Sequence, residues 1–270
     1  MPILNKDMSL CISLAARPSN IGTRFHNYLY DLLGLNFVYK AFAPTDITLA
    51  VAGIRGLPIR GAAVSMPYKE AVIPLVDVMD PSAKAIDSVN TIVNNDGVLT
   101  AYNTDYIAIA RLLKDHQVPS SHTVLLRGAG GMAKAVAAAL RDAGFTAVTI
   151  VARNETTGRA LADLYGFRWQ GDVNGSAADL IINVTPLGMA GADETAQSFD
   201  DATVAAAQVV FDVVALPSET PLITAARNSG KKVITGAEVI AIQAEEQFVL
   251  YTGVRPSAGQ VREASEFSRR

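Results

Sequence analysis

Three clusters of polar residues follow predicted strands in the first half of the chain, and they hold the side chains best suited to proton transfer. Lys69 lies just past one predicted strand, Asp105 lies just past another, and Asn90 lies between them in sequence. Taken singly, a lysine is by default a solvated surface charge and an aspartate after a strand is by default a helix N-cap. Together the clusters are more informative, because open α/β sheets bind ligands at the carboxyl ends of their strands.

An amine and a carboxylate in such a position can serve the oxidation of an alcohol. Hydride transfer needs an acceptor held against the carbinol carbon, a group that takes the hydroxyl proton, and a rigidly bound substrate. Lys69 is the candidate proton acceptor if its surroundings favour the neutral amine, and Asp105 is the candidate to orient the lysine and the hydroxyl. Because a nearby carboxylate favours the charged lysine, the sequence leaves open which of the two holds the proton.

A glycine-rich turn in the second half of the chain predicts a dinucleotide site. Residues 128–133 read Gly-Ala-Gly-Gly-Met-Ala and fit the pattern G-x-G-x-x-A between a predicted strand and a predicted helix. The first glycine permits the tight turn, the second lets the backbone approach a pyrophosphate, and the small last residue lets helix and strand pack closely. The helix N-terminus adds unpaired N–H groups. An ordinary tight turn is the alternative. The predicted cofactor contacts are Gly128, Gly130, Gly131, Met132 and Ala133.

The end of the next strand selects between the two nicotinamide cofactors. An NAD site usually has an acidic residue about 20 residues beyond the glycines, where it binds the ribose hydroxyls. Here residues 151–154 read Val-Ala-Arg-Asn, and Arg153 can make a forked contact with a 2′-phosphate. The sequence therefore favours NADP over NAD, with a solvated surface arginine as the alternative. Arg127 and Lys134 lie near the turn and could add charge, although either is also compatible with an ordinary surface residue.

Five motifs occur in the order expected for shikimate dehydrogenases, and the chain resembles that family over most of its length. As a set they are highly specific, whereas each alone is a common short sequence. The motifs are Ser65-Met66-Pro67-Tyr68-Lys69-Glu70, Val89-Asn90-Thr91, Asn103-Thr104-Asp105, the GAGG turn at 128–131, and Asn183-Val184-Thr185-Pro186-Leu187-Gly188.

The resemblance implies roles for individual residues in the first half of the chain and near its end. Lys69 and Asp105 would be the catalytic pair. The substrate pocket would contain Ser65, Asn90 and Gln243. In the family the C-terminal helix crosses back to the first domain, and we expect the same of residues 237 onward.

The resemblance also implies cofactor contacts beyond the glycine turn. The segment from Asn183 to Gly188 would lie beside the nicotinamide end of the cofactor. Asn183 and Thr185, together with Gly236, are therefore expected among the cofactor-binding residues.

The expected substrate pocket departs from the family pattern. The family usually has a Ser-x-Ser pair for the substrate carboxylate shortly before a helical His-Asn, and counting back from residues 26–27 those places hold Asn20 and Gly22. Asn20 can donate through its amide, whereas Gly22 has no side chain. Ser19 and Thr23 are adjacent hydroxyls that could substitute. Losing one charge-assisted hydrogen bond costs about 1.5–3 kcal/mol, so weaker substrate binding is expected.

A second wall of the pocket differs as well. The family often has a tyrosine three residues after the aspartate that ends a late strand, and here Asp212 is followed at that place by Ala215. The chain thus resembles a divergent branch of the family.

Together with these features, the resemblance implies an NADP-dependent oxidoreductase that interconverts shikimate and 3-dehydroshikimate or a closely related cyclic hydroxy acid. We expect low activity on shikimate and little or none on quinate. The alternatives are a quinate- or aminoshikimate-type dehydrogenase, a methylene-tetrahydrofolate dehydrogenase, and a non-catalytic NADP-binding regulatory protein. The Asn-Thr-Asp and Val-Asn-Thr clusters fit shikimate dehydrogenases better than the folate enzymes, and the presence of Lys69, Asp105, Asn90 and Gln243 favours an enzyme.

Alternating strand and helix patterns predict an α/β chain in two parts. We expect an N-terminal α/β substrate domain over residues 1–106, a C-terminal Rossmann dinucleotide-binding domain over 107–236, and helices over 237–270 that pack back on the first domain. Within the first part, Asp96-Gly97 between apolar runs predicts a hairpin. A helix is expected from about Arg24 to Leu33, and another after Lys69.

Composition excludes several other classes of protein. Half of the residues are hydrophobic and 18% are charged, which suits a packed core, and a net charge of −3 argues against binding nucleic acid.

The lone Cys11 is expected to be buried, and a single thiol suits a reducing cytoplasm. No signal peptide or spanning segment is evident, and the histidines show no metal-ligand spacing. We therefore expect a cytoplasmic monomer or homodimer, without metal, that acts on a small molecule. His26 is expected to be structural, with a place at the border of the substrate pocket as the alternative.

Overall fold

The computed structural model describes residues 4–269 and shows strands and helices in alternation along most of the chain. The strands are β1 (Ser9–Leu14), β2 (Phe37–Phe42), β3 (Gly61–Val64), β4 (Val78–Met79), β5 (Thr91–Asn95), β6 (Val98–Tyr102), β7 (Val124–Arg127), β8 (Val148–Val151), β9 (Arg168–Gln170), β10 (Leu180–Asn183), β11 (Val209–Asp212) and β12 (Lys232–Thr235). The helices are α1 (Asn20–Leu32), α2 (Ile47–Gly56), α3 (Pro81–Lys84), α4 (Thr104–Asp115), α5 (Gly131–Asp142), α6 (Glu155–Tyr165), α7 (Asp201–Ala206), α8 (Pro221–Asn228), α9 (Gly236–Thr252) and α10 (Ala258–Ser268).

The chain forms two compact units. The first unit comprises Met1–Thr104 together with Ala241–Arg270, and the second comprises Asp105–Ile240. The chain passes from one unit to the other within α4 and again within α9. The boundaries expected after residues 106 and 236 lie within about one helical turn of these two places.

The first unit contains a mixed six-stranded sheet in the order β2-β1-β3-β5-β6-β4. β1 pairs in parallel with β2 and β3, whereas β5 runs antiparallel to β3 and β6. The β5–β6 hairpin turns through Asp96 and Gly97, whose φ angles are 52° and 90°. Two central residues with positive φ match the right-handed twist of paired strands, which is why this dipeptide favours a hairpin. The predicted hairpin is confirmed.

The helix expected from about Arg24 to Leu33 is present as α1 with an earlier start, whereas the single helix expected after Lys69 was wrong. α1 begins at Asn20 rather than Arg24, because polar and small residues are tolerated in a first turn whose N–H groups have no helical partner. The segment after Lys69 forms a short 3-10 turn at Ile73–Leu75, then β4 and α3, instead of one helix. Pro74 and Pro81 have no N–H to donate, so a continuous helix cannot pass through them.

The C-terminal helices complete the core of the first unit. Phe248 and Tyr251 of α9 are fully buried in one cluster with Phe25, Leu29 and the predicted buried Cys11. α10 packs along α1 in the same unit. The contact between β3 and α9 is so close that a Cβ atom at Gly61 would overlap the Tyr251 ring.

The second unit has an all-parallel six-stranded sheet in the order β12-β11-β10-β7-β8-β9. β8, β10 and β11 are buried along their whole length and are mostly apolar, as expected for parallel strands covered on both faces, although β10 and β11 end in the polar residues Asn183 and Asp212. Numbered within the unit, this is the doubly wound order 3-2-1-4-5-6, and the direction of winding reverses between β7 and β10. The predicted α/β fold with a Rossmann unit is confirmed. Among residues 4–269, no helix combines the length and apolar character needed to cross a bilayer.

The contact at Gly61 yields a stability prediction with a matched control. Gly61→Ala should destabilise the protein by about 1–3 kcal/mol, because the added methyl group overpacks the Tyr251 ring. Gly53→Ala places the same methyl group in α2 with no atom within 4 Å, and should stabilise by about 0.5–1 kcal/mol through helix propensity. Urea unfolding of both variants measures the difference. Equal changes in the two variants would contradict the packing assignment.

Candidate functional site

A cavity of about 960 Å³ lies at the carboxyl ends of the strands in the second unit. Its walls come from the turns that follow β7, β8 and β10, which include the place where the winding of the sheet reverses. Doubly wound sheets bind their ligands at this position. We call this cavity the dinucleotide cleft. Of the predicted cofactor residues, it is lined by Gly128, Gly130, Arg153 and Thr185.

The glycine turn has the geometry that its sequence predicts. Gly128 has a φ of 126°, and a Cβ atom there would lie 2.7 Å from Cγ2 of Val184. Any other residue would therefore strain the backbone and collide with the loop after β10. Gly130 is the N-cap of α5, and nothing occupies the space where its Cβ would be. The backbone N–H groups of the first turn of α5 are thus available to an anion.

Five predicted cofactor residues do not line the cleft. Gly131 and Met132 lie in the first turn of α5, and Ala133 is fully buried, where its small side chain suits close packing. A Cβ atom at Gly236 would overlap the backbone of residues 213–214, so this glycine permits two segments to pack. Asn183 is fully buried and has a different role.

A buried polar network shapes the wall that follows β10 and β11. The side chain of Asn183 donates to Asp212 (3.0 Å) and to the carbonyl of Leu187 (3.1 Å), and its oxygen accepts from the Thr185 hydroxyl (2.6 Å). Asp212 also accepts from the Thr220 hydroxyl at 2.7 Å. Burial raises the pKa of Asp212 above its ordinary value, and these donors oppose the shift. Asn183 and Asp212 therefore position Thr185 without facing the cleft themselves.

The turn after β8 carries Arg153, which is exposed in the cleft. The indole Nε1 of Trp169 donates to the carbonyl of Ala152 at 3.1 Å, and a Cβ atom at Gly158 would overlap the same indole. This packing fixes the backbone just before Arg153. The cleft is also lined by Arg127, Asn154, Thr157, Asp172 and Asp193, and sequence patterns offered no reason to place the last four there.

The polar clusters of the first unit meet through backbone hydrogen bonds. The N–H of Val64, the residue before Ser65, donates to the carbonyl of Asn90 at 2.8 Å. The N–H of Val89 donates to the carbonyl of Lys69 at 2.9 Å. Ser65, Lys69 and Asn90 are thereby held in one region at the ends of β3 and β5. Asp105, the first residue of the second unit, is 6% exposed in the first turn of α4.

The Asn90 side chain is fixed in orientation and almost fully buried. Its Oδ1 accepts from the Thr91 hydroxyl (2.9 Å), the Thr104 N–H (2.8 Å) and the Thr104 hydroxyl (3.2 Å). Its Nδ2 is buried and has no hydrogen-bond partner among the described residues. With the oxygen held by three donors, the amide cannot rotate cheaply, and Nδ2 remains a donor without an acceptor.

Gln247 is a residue of this region that the sequence reasoning missed. Its Nε2 donates to the Thr91 hydroxyl (3.0 Å) and the Asn90 carbonyl (3.3 Å). The predicted Gln243 is partly buried one turn earlier on α9, and residues four apart lie on one face of a helix. The repeat of glutamine at that spacing was the signal available in the sequence.

The start of α1 provides unpaired polar groups. Ser19 is the N-cap, yet its hydroxyl makes no capping hydrogen bond. The Thr23 hydroxyl is buried and has no partner among the described residues, whereas Asn20 is exposed. A Cβ atom at Gly22 would lie 3.6 Å from the Tyr39 hydroxyl. Free N–H groups and two uncommitted hydroxyls therefore lie together at the positive end of a helix.

His26 is a structural residue of the first unit. It is 1% exposed, and its ring stacks on Tyr39 with centroids 4.5 Å apart. Desolvation lowers the pKa of His26 to about 3, and a hydrogen bond with Gln247 opposes this shift. The ring is thus neutral and ties α1 to α9. Within residues 4–269, no group of three or more His, Cys, Asp or Glu side chains is arranged to hold a metal ion.

The fold and the cleft define a dinucleotide-binding α/β protein, and comparisons with known proteins show its family. A model described as the shikimate dehydrogenase substrate binding domain matches residues 20–92. A shikimate dehydrogenase-like protein of Haemophilus influenzae is 53% identical over 268 residues, which are 99% of each chain. The chain belongs to the shikimate dehydrogenase family, as its motifs indicated.

Solved structures agree with this assignment. The structure of a shikimate 5-dehydrogenase-like protein has a TM-score of 0.98 and 52% identity, covering 99% of this chain and 100% of that one. Shikimate 5-dehydrogenase of Thermus thermophilus, in complex with NADP(H) and shikimate, has a TM-score of 0.85 and 29% identity. That similarity covers 97% of this chain and 100% of the other.

The buried His26 predicts a pH dependence of stability. The unfolded chain takes up a proton near pH 6.5, whereas the folded His26 stays neutral down to about pH 3. The free energy of unfolding is therefore not reduced by His26 above pH 6.5. Below pH 6.5 this residue lowers it by about 1.4 kcal/mol per pH unit. His26→Phe keeps an aromatic ring and removes the titration. Its unfolding free energy, measured with urea, should fall less steeply with acidification than that of the wild type; parallel slopes would rule the assignment out.

Proposed function

We propose that this protein is an NADP-dependent oxidoreductase that interconverts shikimate and 3-dehydroshikimate, or a closely related cyclic hydroxy acid, with a low rate on shikimate itself. The observation that carries the proposal is the buried, unpaired Nδ2 of Asn90 in the region that also holds Ser65 and Lys69. A buried donor without an acceptor costs free energy unless a ligand supplies one. A ring hydroxyl of the substrate is a suitable acceptor.

The start of α1 suits the carboxylate of such a substrate. The hydroxyls of Ser19 and Thr23 are uncommitted, and Asn20 adds an exposed amide. A carboxylate at a helix N-terminus is stabilised by the free N–H groups and by the helix dipole. This set replaces the usual Ser-x-Ser pair with weaker or less regular donors, since Gly22 contributes none. Weak binding of shikimate and a low rate follow from this difference.

Lys69 and Asp105 are the proposed catalytic pair. When bound, NADP supplies the hydride acceptor for oxidation and the hydride donor for reduction. In the oxidation, Lys69 takes the hydroxyl proton as the carbinol carbon loses its hydride, and in the reverse direction it returns that proton to the carbonyl oxygen. Asp105 orients the amine and the hydroxyl. Asn90, Ser65 and Gln243 hold the ring so that its reacting carbon keeps one position.

The dinucleotide cleft fits the cofactor in shape and in charge. Its volume of about 960 Å³ lies within the range of cofactor sites, about 300–1,000 Å³. The glycine turn suits a bound phosphate. A Cβ atom at Gly128 would collide with Val184, and the space beside Gly130 is open. Arg153 at the end of β8 supports NADP rather than NAD, because a guanidinium can hold a 2′-phosphate with two parallel hydrogen bonds.

A panel of substrates and cofactors tests the proposal. Initial rates should be measured with shikimate, quinate and related cyclic hydroxy acids, each with NADP and with NAD. We expect the highest kcat/KM with NADP and a shikimate-like acid, and little or no rate with quinate. Faster turnover of quinate with NAD would establish the alternative quinate dehydrogenase. Binding of NADPH without turnover of any acid would support the regulatory alternative.

Substitution of the lysine tests the assignment of the proton acceptor. Lys69→Ala should lower kcat by roughly 100-fold or more, the scale of general acid–base catalysis, while NADPH affinity stays unchanged. Lys84→Ala, which removes an exposed lysine at the end of α3, serves as the control and should keep full activity. Both variants are compared by steady-state kinetics and by NADPH fluorescence titration. Normal turnover by Lys69→Ala would refute the role.

A further inference from the structure

Two guanidinium groups of the dinucleotide cleft make no polar contact with the part of the chain that the structure describes. Arg127 and Arg153 both contribute to its walls, and among the described residues neither guanidinium donates a hydrogen bond or forms an ion pair. Arg55, Arg60 and Arg255, by contrast, each donate to oxygen atoms of the protein. Arg127 is partly buried, and burial lowers the pKa of its guanidinium, so a bound anion would stabilise the charged form.

The fold holds Arg127 firmly in place. It is the last residue of β7, and its carbonyl accepts from the N–H of Val184 at 3.0 Å. Its guanidinium lies over the ring of Phe199, with 5.9 Å between the guanidinium carbon and the ring centroid, and Phe199 is 1% exposed. A guanidinium held over a buried aromatic ring keeps its N–H edges free for a ligand.

Arg127 lines the dinucleotide cleft together with Arg153 and Asp172, and the charges of both residues act on it. Burial lowers the pKa of Arg127, the charge of Asp172 raises it, and the charge of Arg153 lowers it. Arg153 follows β8 and Asp172 follows β9, the two strands on the side of β7 away from β10. The segment expected beside the nicotinamide follows β10, on the opposite side. In a doubly wound sheet the end of the second strand, here β8, binds the adenosine ribose.

Arg127 and Arg153 bring two positive charges into one cleft, and the single carboxylate of Asp172 offsets only part of that charge, so a bound anion is favoured. We propose that Arg127 is a second cation for the 2′-phosphate of NADP, and that with Arg153 it sets the preference for NADP over NAD. This inference rests on the proposed function. Asp172, which lines the same cleft, partly offsets the positive charge and limits the affinity for the phosphate.

Nucleotide binding to full-length variants tests the inference. Dissociation constants for NADPH and NADH are measured by fluorescence titration, and adenosine 2′,5′-bisphosphate and AMP are used as competitors. Arg127→Met should weaken NADPH and the bisphosphate roughly 10-fold or more, the effect of losing a charge-assisted hydrogen bond, and should leave NADH and AMP nearly unchanged. Arg153→Met should act in the same direction. Asp172→Asn should tighten NADPH selectively.

Arg168→Met is the matched control. Arg168 is an exposed arginine at the first residue of β9, at the opposite end of the strands from the glycine turn. Its loss removes the same charge from the same unit and should change no dissociation constant. Arg127→Lys keeps a charge without the forked geometry and should give an intermediate effect, and urea unfolding of each variant shows whether it is folded.

The possible outcomes separate the inference from the proposed function. If wild-type protein prefers NADPH and Arg127→Met keeps that preference, the inference fails and the proposed function stands. If Arg127→Met weakens the binding of NADPH and of NADH equally, Arg127 contacts a part common to both nucleotides, and the inference is overturned. If wild-type protein binds neither nucleotide, or binds NADH more tightly, the proposed function fails and the inference fails with it.

Discussion

The polar region of the first unit depends on one buried amide. The oxygen of Asn90 accepts from Thr91 and from the backbone and hydroxyl of Thr104, and its carbonyl accepts from Val64 and Gln247. These bonds join the end of β3, the start of α4 and the middle of α9 at a single residue. Because buried hydrogen bonds are costly when broken, a displacement of any one of these three segments would leave a polar group at Asn90 without its partner.

The second unit also has one buried polar residue at the centre of a hydrogen-bond network, and there it is the carboxylate of Asp212. A buried carboxylate is costly alone, and here Asn183, Thr220 and the N–H of Val214 each donate to it. The donors come from the last residue of β10 and from the segment after β11, so the carboxylate helps to set the shape of one wall of the cleft. The collision that any side chain at Gly128 would make with Val184 sets the spacing of the facing turn.

The groups left unsatisfied by these networks are as informative as those they satisfy. Asn90 Nδ2, the hydroxyl of Thr23, and the guanidinium groups of Arg127 and Arg153 have no hydrogen-bond partner among residues 4–269. In the first unit they are donors suited to hydroxyl and carboxylate oxygens, and in the second unit they are cations suited to phosphate. A hydroxylated acid and a phosphorylated dinucleotide are the ligands that match these two sets.

Local signals in the sequence determined the class of fold, the glycine turn and the hairpin at Asp96-Gly97, because each depends on φ preference or on hydrophobic periodicity within a few residues. They also indicated the family and most of the candidate residues. They missed the short edge strands β4 and β9 and misplaced the start of α1, since such elements are held mainly by their neighbours.

Only the tertiary structure decided which side chains are satisfied and which are free. Gln247 reaches Asn90 across 157 residues of sequence, and Asp172 and Arg127 come together from the ends of different strands. Asn183 and Gly236 were expected as cofactor contacts. In the structure the Asn183 side chain donates to Asp212, and Gly236 packs against the backbone of residues 213–214. A sequence specifies residue types and local conformation, whereas the pairing of distant polar groups depends on how whole elements pack.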